Sequence, residues 1–188
     1  MRSVLICDDE PLIRMSLKNK LRELGFDEIL ECGDGVKAVE MALSHVPDIA
    51  ILDVAMPVKD GISAARDIRK KLKIPIIFLT ACFDPDTVRR AREEGIAAFL
   101  TKPLREQDLW PAIELAFAHA EEVENLKEQV EDLKETLETR KIVEKAKGVL
   151  MRSQGLSEPE AFRKMQKLAM DKRKSMRQIA EAILLMES

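Results

Sequence analysis

An α/β fold is what the first two thirds of this 188-residue sequence predict, with a five-stranded parallel sheet, then a long helix and a small helical bundle. Three observations predict it. Over residues 1–104, short apolar runs alternate with amphipathic stretches of ten to fourteen residues. That is βαβ repetition, which places parallel strands side by side and covers both faces with helices. Further on, a heptad of apolar residues takes over, and three short amphipathic segments close the chain.

Taken in order, the apolar runs are Val4–Cys7, Ile29–Leu30, Ile49–Leu52, Ile76–Leu79 and Ala97–Leu100. The helical stretches between them are Pro11–Leu24, Gly35–Ser44, Ile62–Leu72 and Pro85–Glu94. Asp84-Pro85 offers an N-cap and a first-turn proline, and Gly25 and Gly95 stand where helices stop. The stretch Asp48–Gly61 organises the rest. Its run Ile49–Leu52 suits a strand buried on both faces, and Asp53 stands at the tip of that strand.

In open parallel sheets, reactive groups gather at the carboxyl ends of the strands. Here those ends carry Asp8-Asp9, Asp53, Thr80 and Lys102-Pro103. Taken singly, a carboxylate placed like Asp53 is more often a turn or cap residue, and the acidic pair reads equally as a charge motif at a helix start. Together, carboxylates crowded at one edge repel unless a cation lies among them, and hard oxygen ligands suit Mg²⁺. Such a metal neutralises charge on a phosphoryl group, while Lys102 and the Thr80 hydroxyl hold its other oxygens.

Residues 1 to about 120 resemble a response-regulator receiver domain. The matching motifs are V-L-I-C-D-D-E, L-D-V-A-M-P-V-K-D-G, F-L-T-A and F-L-T-K-P. The resemblance implies a flavodoxin-like fold and phosphorylation of Asp53 by a sensor histidine kinase. Asp8, Asp9 and Asp53 are then the Mg²⁺ site, Thr80 the switch hydroxyl and Lys102 the phosphate-contacting lysine. Phe99 takes the place of the aromatic that turns inward on activation, and the Lys102-Pro103 peptide is expected to be cis. Ala55 and Cys82, two residues beyond Asp53 and Thr80, flank the line of attack by water. Neither offers an amide or carboxylate to orient that water, so slow loss of the phosphoryl group is expected.

From Arg105 the helical pattern runs on through Trp110-Pro111, where the missing amide predicts a local distortion. Ala116, Val123, Val130 and Leu137 recur at seven, with His119, Leu126 and Leu133 between them, a seam suited to a coiled-coil dimer. Residues 121–138 carry eight acids against Lys127 and Lys134, a net charge of −6. Residues 139–188 carry twelve Lys or Arg against six acids, a net of +6. The domains expected are therefore 1–120, a 121–138 coiled-coil connector, and 139–188. The three cysteines Cys7, Cys32 and Cys82 lack metal-ligand spacing and read as reduced thiols. No bilayer-spanning run, leader, nucleophile–base pair or nucleotide loop is legible. A cytoplasmic regulator, with no membrane, no small-molecule substrate and no metabolic activity, is expected.

In the last segment, Ile142, Ala146, Val149 and Leu150 make one apolar face, and Gly148 is expected to admit another backbone. Ser157-x-x-Glu160 is a capping box, followed by a core face of Ala161, Phe162, Met165, Leu168 and Ala169. Ser175 caps a third helix with Ile179, Ile183 and Met186 inward. A basic three-helix bundle of this kind could read DNA, dock a protein or bind RNA. The runs R-K-I-V-E-K-A-K-G-V-L-M, G-L-S-E-P-E-A-F-R-K-M-Q-K-L-A-M and S-M-R-Q-I-A-E-A-I are similar to the ANTAR domain of transcription antiterminators. That resemblance implies binding to RNA stem-loops in nascent transcripts, preventing termination, with phosphorylation promoting a homodimer. By charge and surface position the RNA contacts are Lys141, Lys145, Lys147, Arg152, Lys164, Lys167, Lys172 and Arg173. With Phe162 inside, base stacking is expected to be minor.

Overall fold

The computed structural model describes residues 2–81, 86, 89, 90 and 98–186. It forms two compact units, Met1–Glu124 and Asn125–Ser188. In the first, β1 (Ser3–Cys7), α1 (Pro11–Glu23), β2 (Glu28–Cys32), α2 (Gly35–His45), β3 (Ile49–Asp53), α3 (Gly61–Arg69), β4 (Ile76–Thr80) and β5 (Ala98–Thr101) precede α4 (Glu106–Gln154). The five strands are parallel in the order β2-β1-β3-β4-β5, the flavodoxin-like arrangement.

The central strands send alternate side chains into two cores. Val4, Ile6, Ile49, Ile51, Ile77 and Leu79 join Leu17 and Leu21 of α1 and Leu109, Ile113 and Ala116 of α4. Leu5, Ala50, Leu52, Ile76 and Phe78 join Ala38 and Ala42 of α2 and Ile62, Ala65 and Ile68 of α3. A fully buried aliphatic side chain in either layer contributes about 2 kcal/mol. Caps set where α2 and α3 begin. The Asp34 carboxylate accepts from Val36 N at 3.0 Å and Lys37 N at 2.9 Å, and Asp60 accepts from Ser63 N at 2.7 Å. Each such cap is worth about 1 kcal/mol. Gly25 follows α1 with φ +86°, the left-handed conformation that a helix stop requires.

The second unit holds the end of α4, α5 (Glu158–Lys172) and α6 (Met176–Leu185). Its core is Val143, Ala146, Leu150, Ala161, Met165, Ile179 and Ala180. Ser175 and Gln178 cap α6 reciprocally, Gln178 N to Ser175 Oγ at 3.2 Å and Ser175 N to Gln178 Oε1 at 3.1 Å. At α5, Ser157 N donates to Glu160 Oε2 at 2.9 Å.

Four expectations are corrected. Phe162 is 39% exposed and lies outside the core, and Met186 is 86% exposed just past the end of α6. Ala116 is fully buried in the sheet's core, so the exposed seam on α4 begins later. Among the described residues no other backbone is brought against Gly148: beyond its own helix backbone, a Cβ there would meet Arg152 Nη1 at 3.5 Å. Pro111 sits inside α4, which continues through it. Of the helix expected over Pro85–Glu94, Asp86, Arg89 and Arg90 have helical backbone. Its cap at Asp84-Pro85, Gly95, Ala97 and Cys82 lie outside the described residues.

Candidate functional site

The parallel order puts the ends of β1, β3, β4 and β5 along one edge, where the side chains of Asp8, Asp53 and Lys102 meet. Asp8 follows β1, Asp53 ends β3, Thr80 ends β4 and Lys102 follows β5. All but Lys102 are at most 5% exposed. Lys102 Nζ reaches Asp8 Oδ2 at 2.8 Å, Asp53 Oδ2 at 2.9 Å and Glu10 Oε1 at 3.3 Å. Its backbone N donates to Thr80 O at 2.8 Å, tying the lysine to the end of β4. The Lys102-Pro103 peptide is cis.

Charge in this pocket is finely opposed. Burial pushes the Asp53 carboxyl above its ordinary value; Lys102 pulls it back, and Asp8 adds to the rise. Burial alone lowers Lys102, but its contacts with Asp8 and Asp53 outweigh that and hold the ammonium above its ordinary value. Ala55 N donates to Asp53 Oδ1 at 3.2 Å. Glu10 N donates to Asp8 Oδ1 at 2.9 Å, and Arg14 Nη1 to Asp8 O at 2.6 Å.

Asp8 Oδ2 is buried and accepts no well-directed hydrogen bond. Lys102 Nζ, though 2.8 Å away, supplies charge without good hydrogen-bond geometry. One oxygen each from Asp8, Asp9 and Glu10 lies within 4.8 Å of the others. These hard donors, with an unsatisfied oxygen among them, fit a divalent cation. Glu10 joins Asp8 and Asp9 in this group, while Asp53 Oδ2 lies 2.9 Å from Lys102 Nζ. The D-D-E run contained the signal, since the third acid lies one residue beyond the pair. Phe99 is half-buried against the core that the sheet shares with α2 and α3, its ring centroid 5.9 Å from that of Phe78.

In the second unit, Lys141, Lys145, Arg152, Lys164, Lys167, Lys172 and Arg173 are exposed. Lys147 is not. It is 7% exposed, with Nζ 2.8 Å from both Glu144 Oε1 and Glu158 Oε1, and 5.8 Å from the Phe162 ring centroid. The surface position expected of Lys147 is therefore corrected. It follows Ala146 and lies between Val143 and Leu150, on the margin of the core face. Leu126, Val130, Leu133 and Leu137, spaced by four, three and four, form an exposed apolar stripe on α4. The 49-residue helix fits a coiled coil. No helix among the described residues is long and apolar enough to cross a membrane.

The fold and the edge of acids and lysine are those of a receiver-type regulator, and comparison with known proteins agrees. The response regulator receiver domain family matches residues 4–114, and the ANTAR domain family matches residues 131–184. The chain belongs to the response regulators that join a receiver domain to an ANTAR domain. It is 50% identical over 183 residues to the transcriptional regulatory protein PdtaR of Mycobacterium tuberculosis, covering 97% of this chain and 89% of that protein. Among solved structures, the receiver domain of a modulated diguanylate cyclase from Desulfovibrio desulfuricans is 31% identical with a TM-score of 0.60. That match covers 64% of this chain and 97% of the other. The chemotaxis protein CheY4 of Vibrio cholerae is 29% identical with a TM-score of 0.57, over 61% of this chain and 97% of that one.

Proposed function

We propose that this chain is an aspartate-phosphorylated antiterminator that binds RNA stem-loops in nascent transcripts. The observation carrying this reading is the buried Asp53, held by Lys102 at 2.9 Å, in the same chain as a basic ANTAR unit. A sensor histidine kinase is the donor. An Asp53 carboxylate oxygen attacks the phosphorus of the kinase's phosphohistidine; the P–N bond breaks and its electron pair returns to the imidazole. Lys102 keeps Asp53 ionised against the effect of burial and then holds a phosphoryl oxygen, and Thr80 takes another. Asp8 and Asp9, with Asp53 or Glu10, would hold Mg²⁺, which when bound offsets the negative charge of the phosphoryl group.

Movement of Thr80 and Phe99 then favours a dimer through the stripe Leu126, Val130, Leu133 and Leu137. A dimer presents two basic units to paired stem-loops, and two linked weak sites bind far more tightly than one. The exposed cations Lys141, Lys145, Arg152, Lys164, Lys167, Lys172 and Arg173 contact phosphates. Lys147, engaged by two glutamates, positions α5 instead.

The test is RNA affinity before and after treatment with acetyl phosphate and Mg²⁺, with duplex DNA as a competitor. Phosphorylated wild type is expected to bind stem-loop RNA at least about tenfold more tightly than Asp53→Ala. Equal affinities would sink the switch. Preference for the duplex DNA, or a nuclease-resistant and salt-insensitive protein complex, would point to a transcription factor or an adaptor.

Ala55, whose side chain cannot orient water, supports a slowly hydrolysed acyl phosphate. An orienting hydrogen bond is worth about 1 kcal/mol. Ala55→Asn is therefore expected to shorten the phosphoryl half-life by about five- to tenfold. Radiolabelled phosphate retained over time measures this, and an unchanged half-life refutes it.

A further inference from the structure

Phe162 is the sole aromatic residue after Phe117 in this sequence, and it is not used to build the core of the unit that contains it. The core side of α5 is Ala161, Met165 and Leu168, spaced by four and three; Phe162 stands about 100° round the helix from Ala161. The residue is 39% exposed, although burying it would favour folding. Arg163 and Lys164, both exposed, follow it directly.

The ring is also held in place. Lys147 Nζ lies over it, 5.8 Å from the centroid, and is itself fixed at 2.8 Å by Glu144 of α4 and Glu158 of α5. An aromatic so restrained has already lost much of its rotamer freedom, so a flat partner binds it with less ordering. A planar, apolar-faced group brought in on an anionic backbone is the partner that suits a fixed ring beside exposed cations. A nucleobase is that group, and it must be unpaired to offer its face.

We infer that Phe162 is the stacking platform for an unpaired loop base of the bound RNA, and that Lys147 is the residue that positions its ring. This rests on the RNA-binding reading and reverses the expectation that stacking is minor.

The test uses the phosphorylated full-length chain, a pool of stem-loop RNAs with randomised loops, and a fully paired RNA of the same stem. Phe162→Leu is expected to bind the stem-loop pool about tenfold more weakly, with duplex affinity and the salt dependence of binding unchanged. Phe162→Tyr is expected to restore the affinity. A second readout is independent of any loss of folding in the leucine variant. In a Trp110→Phe, Phe162→Trp chain, stem-loop RNA should quench the tryptophan, and the paired RNA should not.

Binding of stem-loops without quenching, or equal weakening of both RNAs by Phe162→Leu, would overturn the inference and leave RNA binding standing. Failure of the wild type to bind either RNA would overturn both.

Discussion

Gly61→Ala is expected to destabilise the receiver unit by about 3 kcal/mol, the upper end of ordinary overpacking. A Cβ at Gly61 would lie 2.0 Å from the Asp53 carbonyl oxygen, 2.9 Å from its carbonyl carbon and 3.3 Å from Val54 Cα. All three are backbone atoms, so no side chain can swing aside to relieve the contact. Nor can α3 simply back away: Gly61 N donates to Val54 O at 3.0 Å, and Ile62, Ala65 and Ile68 are packed into the core shared with α2 and the sheet. The gain in helix propensity from alanine is only about 1 kcal/mol. The overlap wins. Because the displaced atoms belong to Asp53 itself, phosphoryl acceptance should fall along with stability. Urea midpoints at an unchanged slope measure the first effect, and labelling by acetyl phosphate the second. A variant as stable as wild type would mean that α3 does not press on the end of β3 in solution.

That contact illustrates what a sequence conceals. The alternation of apolar runs and amphipathic stretches was enough to place β1, β3 and β4, because central strands buried on both faces read as unbroken apolar runs. β2 was read short, as Ile29–Leu30 instead of Glu28–Cys32. It is an edge strand, partly exposed, and Glu28 and Glu31 interrupt the run. Convergence of Asp8, Asp53, Thr80 and Lys102 followed from parallel topology alone, since each stands at a strand's carboxyl end. Glu10 is legible in the D-D-E run, but the part of Arg14 is not, because it depends on side-chain reach from the first turn of α1, which no period records. The need for glycine at position 61 was invisible for the same reason: it is set by a through-space approach of two backbones.

Charge counting misled in the second unit. It gave every lysine on residues 139–188 a place on the surface, yet Lys147 is buried between two glutamates and a ring. Pairing, not charge, decides whether a lysine faces solvent. Phe162 erred in the opposite sense. Its neighbour Ala161 carries the core register of α5, and one position further on the helix already turns toward water. Hydrophobicity alone assigned it inward; the helical period assigns it to the margin.

Lys102→Met is expected to show how much of the receiver unit's stability rests on one ammonium. Asp8 and Asp53 are 0% and 3% exposed, and among the described residues Lys102 is the cation within 3 Å of both. Its removal leaves two buried carboxylates facing one another, a loss of about 3 kcal/mol at neutral pH without divalent ions. The sign of the pH dependence follows from burial and mutual repulsion, both of which raise Asp53. Without the opposing lysine, the folded-state value of Asp53 rises further above that of the unfolded chain. Protonated carboxylates do not repel, so the variant should nearly match wild type below the ordinary carboxylate range, at about pH 3. Its deficit should then grow as pH rises through the raised folded value of Asp53, because the unfolded chain ionises more readily. Magnesium should recover part of the deficit at neutral pH, in proportion to its occupancy of the acidic group. Urea midpoints across pH, with chelator and with magnesium, decide the matter. A deficit of the same size at both ends of the range, indifferent to the metal, would mean that Lys102 acts by packing its stem and not by neutralising Asp8 and Asp53.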